Sequence, residues 1–220
     1  MTSPAGPRPE VEVRPARSRD LLDLVELSRE IWGTLEGWKA PELIHHQELF
    51  PEGQLVAAEP DGERVLGMAV SLILHSDVWP LTASWDELTG HGRLDTHTPG
   101  GDLLYAAGVA VHPDAQGRGI GSQLYRARER LVKTWGLRAI RAGARIPGYH
   151  RVASEVTPEA YVESVVRGER TDPTLSFQLA MGFEVLGVAR NYLEIDLESM
   201  GAAAIVEWRP SPVPSQSSPS

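Results

Sequence analysis

Residues 103–136 read LLYAAGVAVHPDAQGRGIGSQLYRARERLVKTWG, and the chain is organised around them. Leu103 to Val111 is an unbroken apolar run, the pattern of a strand covered on both faces. His112 to Arg118 holds Pro113, Asp114 and Gly117, which punctuate a turn. From Gly119 the apolar residues Ile120, Leu124, Ala127, Leu131 and Trp135 fall in steps of four, three, four and four, one stripe along a helix. The order is strand, glycine-rich turn, helix.

The turn carries the first chemistry. Gln116-Gly117-Arg118-Gly119-Ile120-Gly121 opens the helix, where the first-turn N–H groups have no partner inside the helix. Three glycines hold side chains away, so an anion can come close to those amides, and the helix dipole adds partial positive charge. This is a cradle for a pyrophosphate. It is no Walker loop, since no Gly-Lys-Ser/Thr follows, and its spacing is not the dinucleotide G-x-G-x-x-G.

Outward from this stretch, 220 residues suffice for one domain with a substantial core. The formal net charge is −9, yet residues 116–151 carry nine Arg or Lys and one acid, Glu129. That local +8 leaves −17 for the rest, and a basic patch on an acidic protein suits a phosphorylated cofactor better than nucleic acid. With no cysteine, disulfides, thiolate metal ligands and a cysteine nucleophile are excluded. The seven histidines lack the HExxH spacing, and no metal site is expected. No apolar run approaches the ~20 residues that cross a bilayer. The Pro-rich start has no signal-peptide core, so the expectation is a cytoplasmic protein without membrane partners.

Val11 to Arg14 alternates as an edge strand. Ser18 or Asp20 is placed to cap a helix whose apolar face is Leu21, Leu22, Leu24, Val25, Leu27 and Ile31. A second helical segment runs from Pro41 to about Leu49, and Gln54–Glu59 with Val65–Leu74 reads as a hairpin across Asp61-Gly62. His75 to Asp102 is a long irregular segment holding Trp79 and Trp85, either a packed surface excursion or a substrate contact. Ala139 to Ala144 is the next parallel strand. Helices follow at Pro158–Val166 and Thr174–Met181, then short strands at Phe183–Gly187, Tyr192–Ile195 and Ala202–Trp208.

Val109, Val111, Pro113, Gln116, Gly119 and Gly121 match Val-x-Val-x-Pro-x-x-Gln-x-x-Gly-x-Gly. This resembles motif A of the GNAT superfamily of N-acetyltransferases. The Phe177, Met181, Gly182, Phe183 pattern is similar to a second feature of that family, a helix ending in Gly-Phe. RIPGYH, YVESVV, DPTLSFQLAMGFEVLGV and AAAIVEW resemble the subgroup often fused to a carbon–nitrogen hydrolase domain. The resemblance implies an α/β fold, a GNAT-like mixed central sheet with flanking helices and a splayed cofactor cleft. It implies a single domain over residues 10–209, and the Pro- and Ser-rich composition of residues 1–9 and 210–220 reads as disordered tails. It implies acetyl-CoA as cofactor, bound by Val109, Ala110, Val111, Gln116, Gly117, Arg118, Gly119, Ile120, Gly121 and Ser122. The loop takes the pyrophosphate, and the strand pairs with the pantetheine arm, which Ala106, Ala107 and Gly108 leave room for. The acceptor is an amine, on a small molecule or a protein, and a homodimer is left open.

Acetyl transfer needs a neutral amine, a polarised thioester carbonyl and a proton for the departing thiolate. An N–H of about Val111 can polarise the carbonyl. The family's usual Glu falls at Ala106, Gly108 or Ala110, and its usual Tyr at Gln178, so neither side chain is present. Tyr149 and His150 are the replacement candidates, because they follow the strand after the cofactor helix, and His has an ordinary pKa of ~6.5. Tyr105, Tyr161 and Tyr192 are further candidates. The missing pair also leaves open a non-catalytic CoA-binding sensor or assembly module.

Overall fold

A computed structural model describes residues 11–60, 62 and 64–211. Its strands are β1 (Glu12–Pro15), β2 (Leu55–Ala58), β3 (Val65–Leu74), β4 (Leu103–Val111), β5 (Ala139–Arg145), β6 (Glu184–Ala189) and β7 (Ala203–Trp208). They form one mixed sheet in the order β1-β2-β3-β4-β5-β7-β6. The helices are α1 (Leu21–Glu36), α2 (Ala40–Leu49), α3 (Trp85–Thr89), α4 (Ile120–Trp135), α5 (Pro158–Val166) and α6 (Leu175–Ala180). The expected α/β class with a mixed sheet and flanking helices is what the chain forms. The expected tails lie outside the described residues, apart from Pro210 and Ser211.

The helices split between the two faces of the sheet. Leu24 and Leu27 of α1, Leu43 of α2 and Leu88 of α3 pack with Met68, Val70, Leu72 and Tyr105 on one face. Tyr125 and Val132 of α4, Val162 of α5 and Leu175 of α6 pack with Leu104, Ile140, Ala142 and Val206 on the other. Burial of both faces explains why β3 reads as a continuous apolar run, with all ten positions buried. The Leu103–Val111 run is the central strand it was read to be, and α4 carries Ile120, Leu124 and Ala127 inward. Trp135 ends the stripe 43% exposed, its ring edge against Phe50.

Two features of β4 position the site. Its pairing with β3 slips between Val70–Gly108 and Ser71–Ala106, which leaves Ala107 as the extra residue of a bulge. On its other edge it pairs with β5 in parallel only from Leu103–Ala139 to Tyr105–Arg141. Beyond that point β5 stays with β7 as far as Arg145–Ala203, and the two central strands part.

Three local expectations are corrected. Tyr192–Ile195 is not a strand: Tyr192 and Leu193 both donate to the Gly201 carbonyl in a turn that Asp196 ties to Arg145. Neither Ser18 nor Asp20 caps α1 through its side chain. Asp20 is taken instead by the Arg14 guanidinium and the Arg17 N–H, and Leu22, assigned to the apolar face of α1, is exposed.

Candidate active site

The parting of β4 from β5 opens a cavity of about 390 Å³ that passes from one face of the sheet to the other. Ala106 to Val109 of β4 and Ala142 and Gly143 of β5 form its waist. His112 donates its N–H to Leu66, which sets the alternation of the β3–β4 ladder. The N–H groups of Val109 and Val111 therefore face the open edge, away from β3. The Val111 carbonyl on that edge accepts the Gln116 side-chain amide at 3.2 Å.

The glycine-rich loop lies at the end of that edge. Gly117 and Gly119 have φ of +72° and +82°, and a Cβ added at either would meet no atom within 4 Å. Positive φ demands glycine, and the open space leaves the backbone bare. Among the described residues, no acceptor meets the N–H groups of Gly117, Arg118, Gly119, Ile120, Gly121 or Ser122. The Phe177 ring, which lines the cavity, lies 3.5 Å from the position a Gly121 Cβ would take, so one ring borders both the cavity and the start of α4. The surrounding positive charge is less free than its count suggests. Arg145 is forked onto Asp196, and Arg141 onto Glu207.

On the α4 face a chain of buried polar groups lines the cavity. Gln178 Nε2 donates to the Tyr125 hydroxyl oxygen at 2.7 Å. No acceptor for the Tyr125 hydroxyl proton is found among the described residues. Arg128, fully buried, donates to Ser71 Oγ and to the carbonyls of Val70 and Gly108 at the bulge. Its Cζ stands 5.3 Å from the Tyr125 ring centroid, and its Nη1 has no hydrogen-bond partner. Burial pushes the Arg128 pKa down, while Tyr125 pushes it up. At the waist the Tyr192 ring fills the space that a Gly143 side chain would take, and its hydroxyl meets that of Tyr105 in a short hydrogen bond. Burial raises the pKa of both hydroxyls, so both keep their protons.

The opposite wall, on the α1–α3 face, is aromatic. Trp32, Trp38 and Trp85 line it with Ile31 and Asp86. Trp38 Nε1 and His46 Nε2 both reach the Gly92 carbonyl, at 3.0 and 2.8 Å. Trp85 Nε1 donates to the Ala107 carbonyl at 2.8 Å, on the bulge itself.

The sequence-derived site residues divide. Val109 lines the cavity; Ala110, Val111 and Gln116 to Ser122 are not part of its lining, and follow Val109 along the end of β4 and into the start of α4. Tyr149 and His150 do not line the cavity. Tyr149 is buried and its hydroxyl donates to the Val156 carbonyl; His150 is exposed, with Nδ1 against the carbonyls of Pro147 and Glu198. Sequence reading missed Tyr125, Arg128 and the three tryptophans as a group. Tyr125 follows an apolar stripe residue on α4, and the tryptophans sit on three separate segments, so no spacing announces them.

A family model described as the acetyltransferase (GNAT) family matches residues 21–152. The Bacillus subtilis (strain 168) protein named probable hydrolase YhcX is 38% identical over 196 residues, which cover 89% of this chain and 38% of that protein. The same organism's uncharacterized N-acetyltransferase YkwB is 34% identical over 172 residues, 78% of this chain and 75% of that protein. The chain therefore spans well under half of the first relative. Among solved structures, the GNAT-like decarboxylase GphF in complex with isobutyryl-CoA is 26% identical, with a TM-score of 0.75 over 90% of this chain and 98% of that one. No helix among the described residues is long and apolar enough to cross a membrane, and no metal-binding group of His, Asp and Glu is found among them.

Proposed function

The chain belongs to the acetyltransferase (GNAT) family, and we propose that it transfers an acyl group, acetyl in the first instance, from acetyl-CoA to an amine in one ternary complex. The observation that carries this reading is the parting of β4 from β5 just ahead of a loop of unpaired amides. The residues fit an extended ligand ending in pyrophosphate. The amides of Gly117 to Ser122 and the α4 dipole would hold the phosphates, with Gln116, whose N–H donates to the Pro113 carbonyl, setting the start of the loop, and the bare edge at Val109 and Val111 would hold the arm. When bound, the donor supplies an activated thioester.

The chain's own groups do the rest. An N–H on the open edge of β4 polarises the thioester carbonyl. As the N–C bond forms and the C–S bond breaks, the departing thiolate takes a proton from Tyr125. That hydroxyl suits the task because the Gln178 amide stays on its oxygen when the proton leaves. The ammonium sheds one proton to water past Asp86 or Glu194, the carboxylates of the lining, before it attacks, and the second proton that the nitrogen loses as the amide forms returns Tyr125 to its neutral state.

Acetyl-CoA should raise the melting temperature, and Gly119→Val should abolish that rise while the unliganded melt stays cooperative. Equal rises in both proteins would remove the loop from the site. A rise in wild type without release of CoA on any amine of a broad panel would favour a sensor module over an enzyme. One observation favours a second reaction on the same frame. The GNAT-like decarboxylase GphF, 26% identical with a TM-score of 0.75, shares this fold, which supports decarboxylation of a carboxylated acyl-CoA as the alternative. There the C–C bond breaks, carbon dioxide leaves and the carbanion takes a proton, so carbon dioxide released from malonyl-CoA without any amine would favour it.

A further inference from the structure

The three tryptophans of the cavity wall form a box rather than a slot. Trp32 and Trp38 have ring centroids 5.0 Å apart with planes at 75°, and Trp38 and Trp85 lie 6.1 Å apart at 41°. A flat aromatic guest is gripped between parallel faces, and none of these pairs is parallel. The angles exclude a slot for a flat ring, and the negative π-faces of the indoles that line the cavity favour a guest that is positively charged. The box is also built rigidly. Trp38 and Trp85 are each held by an indole N–H bond, and a Cβ on Gly108 would lie 2.7 Å from the Trp38 ring. Glycine at that point lets the box rest on the central strand.

The charges on this side agree. Asp86, next to Trp85 in the lining, has no cationic partner other than His91, at 3.8 Å, among the described residues. Glu194 lies on the same cavity lining. The two arginines of the lining are accounted for elsewhere. Arg145 is forked onto Asp196, and Arg128 comes from α4 on the other face of the sheet, with its Nη2 held by the bulge carbonyls.

We propose that Trp32, Trp38, Trp85 and Asp86 form a binding site for an alkylammonium group, so that the acceptor is a small aliphatic amine selected from water in its charged form. The claim deepens the acyl-transfer reading and rests on it for the word acceptor; the site itself does not depend on it. The amine is received as the ammonium, gives up its proton past Asp86, and lies against Ala107 and Gly108, where the open edge of β4 begins.

Choline and 3,3-dimethylbutan-1-ol test this, because they share a shape and differ in the charge. Neither is an amine that can be N-acylated. By calorimetry or tryptophan fluorescence, choline should bind roughly tenfold more tightly than the neutral alcohol, the scale of a partly desolvated cation–π contact. Trp32→Leu and Asp86→Asn should each remove most of that preference while the acetyl-CoA-induced rise in melting temperature is kept. Trp32 is chosen because its indole N–H has no acceptor among the described residues, so the fold should survive. Equal affinity for the two probes, or no binding of choline, overturns the proposal. Loss of the acetyl-CoA effect in wild type would instead strike the transfer reading and leave the choline result standing.

Discussion

At Tyr125 the hydroxyl oxygen accepts the Gln178 amide, and the ring lies beside the Arg128 guanidinium. Both contacts bring donors to the ring and its oxygen, and no acceptor for the hydroxyl's own proton is found among the described residues, which leaves that proton for an occupant of the cavity. Tyr125→Phe removes that proton and little volume. Turnover should fall about 10²- to 10⁴-fold, the usual contribution of a general acid, with the affinity for CoA nearly unchanged. The loss should fall on kcat rather than KM. Tyr149→Phe and His150→Ala should keep most of their turnover, since the Tyr149 hydroxyl is committed to Val156 and His150 lies on the surface. Steady-state kinetics on the three variants decide the matter. A large loss at Tyr149 or His150 with none at Tyr125 would move the acid to the loop after β5. The residue scale is also where sequence reading was weakest. Gln178 stands out as a residue that cannot donate a proton at working pH, but the tyrosine beside it is 53 positions away in sequence.

At the scale of elements, the decisive fact is that β4 and β5 touch at one end only. The elements themselves were legible. An apolar run of nine residues and a stripe of period 3.6 define β4 and α4 with almost no freedom. The parting of the strands has no such signature, because it depends on what fills the gap. Tyr192 fills part of it from the turn after β6, a segment whose alternation resembles a strand, and it does so because Gly143 has no side chain. Gly143→Ala would drive a methyl into the Tyr192 ring, and overpacking of this kind costs roughly 1–3 kcal/mol. Tyr192→Leu frees that space at its own cost. The double variant should therefore be more stable than the sum of the two single losses predicts, measured by urea unfolding. Simple additivity would mean that ring and glycine do not share the site. The tryptophan box was equally hidden, since its members come from α1, the α1–α2 connection and α3, and only the folded sheet gathers them.

Across the whole molecule, acid should act in two stages. The carboxyls of Asp20, Asp102, Asp196 and Glu207 are pushed up by burial, but their hydrogen bonds and ion pairs hold them below the ordinary range. A carboxyl with a lowered folded pKa adds stability that is complete above its unfolded pKa and is lost as pH falls through the folded one. These losses belong below about pH 4.5. His46 acts earlier. Burial lowers its pKa to about 4, against the carbonyl of Gly92, which favours the charged form; His45 opposes charging, and Glu42 and Asp95 favour it weakly. The neutral ring donates Nε2–H to Gly92 and leaves Nδ1 bare and unpartnered, so protonation would add a buried donor with nothing to meet. Between pH 6.5 and 4 the unfolded chain therefore binds a proton that the folded chain refuses. Stability falls as pH is lowered through this window and is restored as pH rises again. From 6.5 to about 4 the difference corresponds to roughly 3 kcal/mol at most. The loss should appear first in the tryptophan wall of the cavity, because the Gly92 carbonyl that holds His46 also holds Trp38. Urea unfolding of wild type and His46→Gln at pH 7, 5.5 and 4.5 measures it, since glutamine can still donate to Gly92 but cannot titrate. Wild type should lose stability relative to the variant over these steps, with Trp38 fluorescence shifting before the global transition. Parallel pH profiles for the two proteins would show that His46 is not the group that sets the upper edge of acid sensitivity.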